Sequence, residues 1–370
     1  MRTRDLTRAV SRRAFAASLT MLSIAVVGVR ALAAVHRVDD FAAAQRLELS
    51  AGDRVEFPAD AMVFGSMTVA ASGTQAQPIV ITTAVGGRRA RLCNPDFTND
   101  FGRVLDVRGS NVVIENLAFF DGPVPPPDKG LAVDAVGDQH RSVPQLGAVF
   151  IDAGASRVVV RNCEFTACPI GIRVRGSDCQ VVSNRLHDAG KITERWGAIA
   201  VAMTGSRIEL AHNEIWNYGY LGGLFGGDGA AFEIDGEDPT AYPRPISDIA
   251  IHHNRSWAVK GGFIEVTRCD VKGISLTDNY SDDQDKFAGF YQLADGVRIE
   301  RNTIVRRRAP LTSVFWGATT NAVYVGNRLD LAPGVAFWND KPALRRAGYG
   351  LGFSPDEAGG ARYLSNDGAQ

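Results

Sequence analysis

Two short segments carry glutamates at matching positions. GAAFEID from Gly229 and GGFIEVT from Gly261 place Glu233 and Glu265 at the same distance behind a leading Gly. If the segments are neighbouring parallel strands, alternation puts both side chains on one face, and an inter-strand spacing of about 4.8 Å brings them close together. A separation of roughly 5–5.5 Å is what a carboxyl pair needs to cleave a glycosidic bond with retention. Asp235 lies on the same face and Asp228 just ahead of the strand. Like charges directly opposite one another are destabilising. Crowding of this kind raises one pKa, as a general acid requires while its partner stays ionised. The bland alternative is an exposed ladder of polar side chains without chemistry, and nothing in the pattern assigns which Glu would be the acid.

The elements that must position this pair repeat along the chain. A strand ending in Asn recurs as VVIEN, RVVVRN, QVVSN, IELAHN, IAIHHN, ISLTDN, VRIERN and AVYVGN, with the asparagines at 116, 162, 184, 213, 254, 279, 302 and 327. A period in the low twenties with several strands per repeat predicts an all-β solenoid, a single-stranded right-handed parallel β-helix over residues 34–330. Each Asn is expected in a left-handed turn position, passing amide hydrogen bonds along the stack. Asp39-Asp40-Phe41 followed by Ala42 to Leu47 predicts a short N-capped helix covering the first coil, and residues 331–370 form a C-terminal cap or tail.

A second strand precedes each Asn strand, and these align at a leading small residue: GAVFID, GIRVRG, GAIAVAM, GAAFEID, GGFIEVT and AGFYQLA. Alternation then predicts outward columns of Arg175, Val201, Glu233, Glu265 and Gln292, and of Arg173, Ile199, Ala231, Phe263 and Phe290, with Tyr291 and Leu293 inward. Four insertions (122–146, 189–196, 214–228 and 281–287) enter this strand from one side, as binding loops of solenoids do. They bring Trp196, Trp216, Tyr218, Tyr220 and Phe225, aromatics on which sugars stack. The expected site is a groove floored by Glu233, Glu265, Gln292, Phe263 and Phe290.

The 370 residues, 45% hydrophobic and 22% charged, exclude disorder and a polytopic membrane protein. The first 33 residues hold six of the 40 basic and one of the 41 acidic residues, so the remainder is net −6 and a poor fit to nucleic acid. An Arg-rich start, an apolar run from Ala14 to Val29 and Ala31-Leu32-Ala33 predict a cleaved signal over residues 1–33, with no stable membrane span after processing. Ser11-Arg12-Arg13-Ala14-Phe15 resembles the twin-arginine export motif, implying a periplasmic or extracellular protein. Five cysteines without paired zinc spacing read as small buried hydrophobes.

The repeat, together with AGDRVEF and FGSMTVAASGTQAQPIVITTAVGG near the start, resembles the right-handed parallel β-helix superfamily of carbohydrate-active proteins, over most of residues 35–330. That resemblance implies a polysaccharide or oligosaccharide substrate and leaves the reaction open. A glycoside hydrolase using Glu233 and Glu265 with no cofactor is one reading. A uronate lyase or C5-epimerase is another, needing a base and a charge to hold the carboxylate. Lys260 and Arg268 flank the Glu265 strand, and Arg173, Arg175 and Arg195 lie on neighbouring coils. In β-helix lyases a Lys, an Arg and a carboxylate-bound calcium do this work, and Asp228, Glu233, Asp235 and Glu265 would be the calcium ligands here. A noncatalytic saccharide-binding surface protein is the third reading, and the superfamily includes both monomers and trimers. Weaker candidates are Asp282, Asp283 and Asp285 as a calcium loop and His187-Asp188 for proton transfer. His212 and His253 are expected to stack on each other in a structural role.

Overall fold

A computed structural model describes residues 33–123, 143–193, 196–223, 226–236, 246–307, 313–338 and 362–364. The signal expected over residues 1–33, including Arg12-Arg13, falls almost wholly outside them, as do Arg195 and Phe225. Among the described residues no helix is long and apolar enough to cross a membrane.

Each turn of the chain contributes up to three parallel strands, and each strand hydrogen-bonds to its counterpart one coil away, forming a 22-stranded and a 10-stranded sheet among the described residues. The larger sheet supplies two faces of the coil. Its site face includes Val149–Ile151, Ile170–Val174, Ile199–Met203, Ala230–Asp235, Gly262–Thr267 and Ala288–Asp295, in that stacking order. Its second face includes Gln180–Val182, Ile208–Ala211, Ile246–His252 and Val271–Thr277. The smaller sheet is the third face, with Arg185–His187, Glu214–Trp216, Arg255–Trp257 and Tyr280–Asp282 stacked in turn. This is the right-handed parallel β-helix that the repeat predicts. Stacking continues through Ala336–Trp338 and Arg362–Leu364.

Branched aliphatic side chains from all three faces meet inside one continuous core. Aromatic residues join it by lying flat on the coil below: Phe119 on Phe165 and Phe263 on Phe287, each pair with ring centroids 4.7 Å apart. The first coil is covered by the helix Phe41–Gln45, whose N-cap Asp40 accepts from Ala43 N at 2.6 Å and whose Phe41 packs on Phe57. All five cysteines are buried and unbridged.

The asparagine ladder differs in register from the sequence reading. Asn184, Asn213, Asn254, Asn279, Asn302 and Asn327 are buried at the turn between the second and third faces. Each Oδ1 accepts from the backbone N of the residue one coil earlier, and from Asn213 onward also from that Asn's Nδ2. The left-handed residue is the one before each Asn: Ser183, His212, His253, Asp278, Arg301 and Gly326. Asn116 and Asn162 are themselves left-handed and stand outside the ladder. Cys163 and Leu117 hold the ladder position in those coils, so the ladder ends where Cys163 N donates to Asn184 Oδ1 at 2.9 Å.

Candidate active site

Glu233 and Glu265 are directly opposed on adjacent parallel strands, as their spacing predicts. The outward column on which they stand runs Phe150, Arg173, Ala202, Glu233, Glu265 and Gly289. Glu265 is buried and Glu233 half-buried. Lys286, only 3% exposed, places Nζ 2.7 Å from Glu265 Oε1 and 2.8 Å from Asp285 Oδ2. Its ammonium lies 5.7 Å from the ring centroid of Tyr291, which reaches back over the strand.

Glu233 has the opposite company. Burial pushes its carboxyl well above the ordinary range, and the charges of Asp235, Glu265 and Asp228 push further, against an opposing pull from Arg268. Thr267 Oγ1 donates to Glu233 Oε1 at 3.4 Å. Asp228, on the hairpin of Tyr220–Gly223 and Gly226–Asp228, accepts from Gly197 N at 2.8 Å and is pushed up to about 6, chiefly by burial and next by the Glu265 charge. Burial alone would lower Lys286, but Asp285 and Glu265 outweigh it and hold the ammonium well above its ordinary value. Burial likewise keeps the Tyr291 phenol protonated at neutral pH. The site therefore holds, within one patch, a Glu233 carboxyl raised well above its ordinary range and a Glu265 paired with the Lys286 ammonium. Of the four carboxylates expected to hold a calcium ion, Asp235 is engaged by Arg268 and Glu265 by Lys286, leaving Asp228 and Glu233 as the oxygen donors without a cationic partner at hydrogen-bond distance among the described residues.

Arg268 lies beside this patch with Nε 2.7 Å from Asp235 Oδ1 and Nη2 on Oδ2, a bidentate pair rather than an open anion site. Lys260 turns away, placing Nζ 3.1 Å from Asn217 Oδ1 and 3.0 Å from Ala258 O.

Several predicted floor residues are elsewhere. Phe263 and Phe290 point into the core, Phe263 against Phe287 and Phe290 opposite the inward Val266. Tyr218 is fully buried with its hydroxyl on Cys168 O at 3.1 Å, so it is no sugar platform. Arg173 does share the Glu column, but it is buried, with Nε on Leu146 O and Nη2 on Val143 O, both at 2.9 Å. It clamps the Val143–Gln145 turn to the face. Arg175 is half-buried, its guanidinium 5.5 Å from the Phe150 ring centroid. Gln292 is exposed beside Leu293, where the strand shifts register between Phe290 and Ala294, and Tyr291 faces Lys286 rather than the core. Trp196 is half-buried against an outward cluster containing Ile199 and Ala202, and Ala202 is the strand neighbour of Glu233. Trp216 lies on the third face, between His187 and Trp257.

The misplacement of Phe290 comes from register. Aligning strands at a leading small residue is right for Glu233 and Glu265, but Ala288 pairs with Ile264, a shift of three residues from that alignment. An odd shift exchanges the faces of a strand. The same shift hid Lys286 and Tyr291. The acidic run 282–285 also diverges: Asp282 lies opposite Trp257 on the third face, Asp283 is buried between Ser256, Ser281 and Val259 N, and Asp285 holds Lys286. It is not a calcium loop.

The sequence matches no family model and no curated protein. The fold is similar to that of several solved structures. The crystal structure of an alginate lyase from Paenibacillus sp. str. FPU-7 aligns with TM-score 0.55 at 15% identity, covering 82% of this chain and 98% of that one. XylC in complex with xylose aligns with TM-score 0.54 at 8% identity over 81% and 69% of the two chains. DFA-IIIase from Arthrobacter chlorophenolicus A6 in complex with DFA-III gives 0.52 at 11% identity over 77% and 69%. The chain thus has the parallel β-helix fold of these carbohydrate-active proteins.

Proposed function

We propose that the chain is a polysaccharide-processing enzyme, most specifically a glycoside hydrolase in which Glu233 donates a proton to the glycosidic oxygen and Glu265 acts as the anionic partner. The observation that carries this reading is the unequal environment of two opposed carboxyl groups: Glu233 raised by burial and acidic neighbours, Glu265 touching Lys286. Strands about 4.8 Å apart suit the short carboxyl separation of a retaining mechanism. As the C–O bond breaks, the leaving oxygen takes the Glu233 proton and Glu265 bonds to the anomeric carbon. Water then attacks that carbon, giving its proton to Glu233 and releasing Glu265. Trp196 would bound the sugar on one side, and the export signal read at residues 1–33 would put the activity outside the cytoplasm.

A uronate lyase or epimerase is the second reading, favoured by one observation. Lys286 and Tyr291 put a cation and a phenol beside Glu265, whereas Lys260 and Arg268 are otherwise engaged. In that reading the neutral Glu233, or a calcium among the four carboxylates, would hold the uronate carboxylate. The test is release of oligosaccharides from a panel of neutral and uronate polysaccharides by the wild-type chain and by Glu233→Gln. Loss of release in the variant supports the assignment, and equal release overturns it. Binding without release from any substrate would move the protein to the noncatalytic class.

A further inference from the structure

Three of the chain's six histidines meet on the opposite side of the coil from the Glu pair. His212 and His253 occupy the left-handed turn position in consecutive coils, so the repeat itself lays one ring over the other, with centroids 5.0 Å apart. His252 precedes His253 and turns its ring edge-on to both. One ligating atom from each lies within 4.8 Å of those of the other two. His252 Nδ1 and His253 Nδ1 face each other at 3.1 Å. Two nitrogen ligands on a tetrahedral zinc ion, with Zn–N of about 2.0–2.1 Å, sit roughly 3.3 Å apart.

The outer contacts match that geometry. His252 Nε2 lies 3.1 Å from Glu209 Oε1, and Gln180 Nε2 holds the other Glu209 oxygen at 2.7 Å. A carboxylate at Nε2 fixes that nitrogen as the donor and leaves the Nδ1 lone pair on the side of His253 Nδ1, the arrangement that orients zinc-binding histidines. His212 and His253 are exposed, so their rings can close on an ion without disturbing the core.

We propose that His212, His252 and His253 bind one divalent transition-metal ion of the zinc class, with Glu209 positioning His252 and a fourth place left to water. The ion bridges two consecutive coils, His212 from one and His252–His253 from the next. It is independent of the Glu233–Glu265 chemistry.

The test is calorimetric titration of the full chain, prepared without a histidine tag, with ZnCl2, paired with thermal unfolding. The expected result is one zinc per chain and a higher unfolding temperature with the ion. His212→Ala/His253→Ala should remove both effects, the second read as no rise on adding zinc above the variant's own metal-free unfolding temperature. Glu209→Gln should weaken zinc binding about 10- to 100-fold with the same stoichiometry. Absence of stoichiometric binding, or zinc binding retained in the double variant, would overturn the proposal. If the double variant proved unstable, His252→Gln read by the same titration takes its place, and retained binding there is equally fatal.

Discussion

Glu233 and Glu265 face each other across one strand spacing, yet Lys286 Nζ stands 2.7 Å from Glu265 while Glu233 is bordered by Asp235, Glu265 and Asp228. One repeat position thus carries the same residue in two electrostatic environments. Removing either carboxyl should remove a different part of the reaction. Glu233→Gln and Glu265→Gln are each expected to lower kcat/KM on a cleaved polysaccharide by about 10²–10⁴-fold, the range of a lost general acid or its partner. Initial rates on the same substrate check this.

Lys286→Met leaves Glu265 buried without its cation. Breaking a buried pair from one side costs about 3–5 kcal/mol and favours the neutral acid. The variant should therefore unfold at lower denaturant and show the acid limb of its pH–rate profile moved upward. Lys286→Arg, which keeps the charge, should retain more of both properties.

Asp228 sets a pH window. Its carboxyl titrates at about 6 in the fold against an ordinary 3.8, so between those values the folded chain binds more protons than the unfolded one. Stability from this group is full below about 4, falls as pH rises, and stops falling above about 6. Asp228→Asn, whose side-chain oxygen can still accept from Gly197 N, should flatten the curve in this window. Denaturant unfolding at several pH values from about 4 to 8 measures it. Glu233 would add a decline at higher pH that Glu233→Gln removes, together with the alkaline limb of the rate profile.

The ladder carries its own expectation. Asn254 accepts from Asn213 N and Nδ2 and donates to Leu210 O, all inside the coil. Asn254→Ala leaves those buried groups without partners and should cost about 1–3 kcal/mol or more, read by chemical denaturation, with little effect on activity at temperatures where the variant is folded.

How far the sequence foretold this molecule depended on which signals were chemical and which positional. The fold was legible because a buried Asn at this turn exchanges amide hydrogen bonds with the coils on either side, so its recurrence marks each coil. Where Leu117 and Cys163 fill the ladder position, the nearest Asn misled by one residue. The Glu pair was legible because Gly229 and Gly261 open equivalent strands. Phe263, Phe290 and Tyr218 were assigned to the groove although they fill the core, and Lys286 and Tyr291 were missed. The faces of Phe290 and Tyr291 depend on inter-strand register and on the irregularity after Phe290, which local alternation does not report, whereas Phe263 enters the core from a strand in the predicted register. The histidine cluster was half visible: stacking of His212 on His253 followed from their turn position, whereas the part played by His252 and Glu209 needed the cross-strand contact.

The most direct measurement is mass spectrometry of products formed in water enriched in oxygen-18, using a polysaccharide that the wild-type chain cleaves. The account predicts one heavy oxygen at each newly formed reducing end and no unsaturated sugar, with the heavy-oxygen product formed about 10²–10⁴-fold more slowly by Glu265→Gln. Unsaturated uronate ends without incorporated oxygen would contradict hydrolysis and transfer the chemistry to Lys286 and Tyr291.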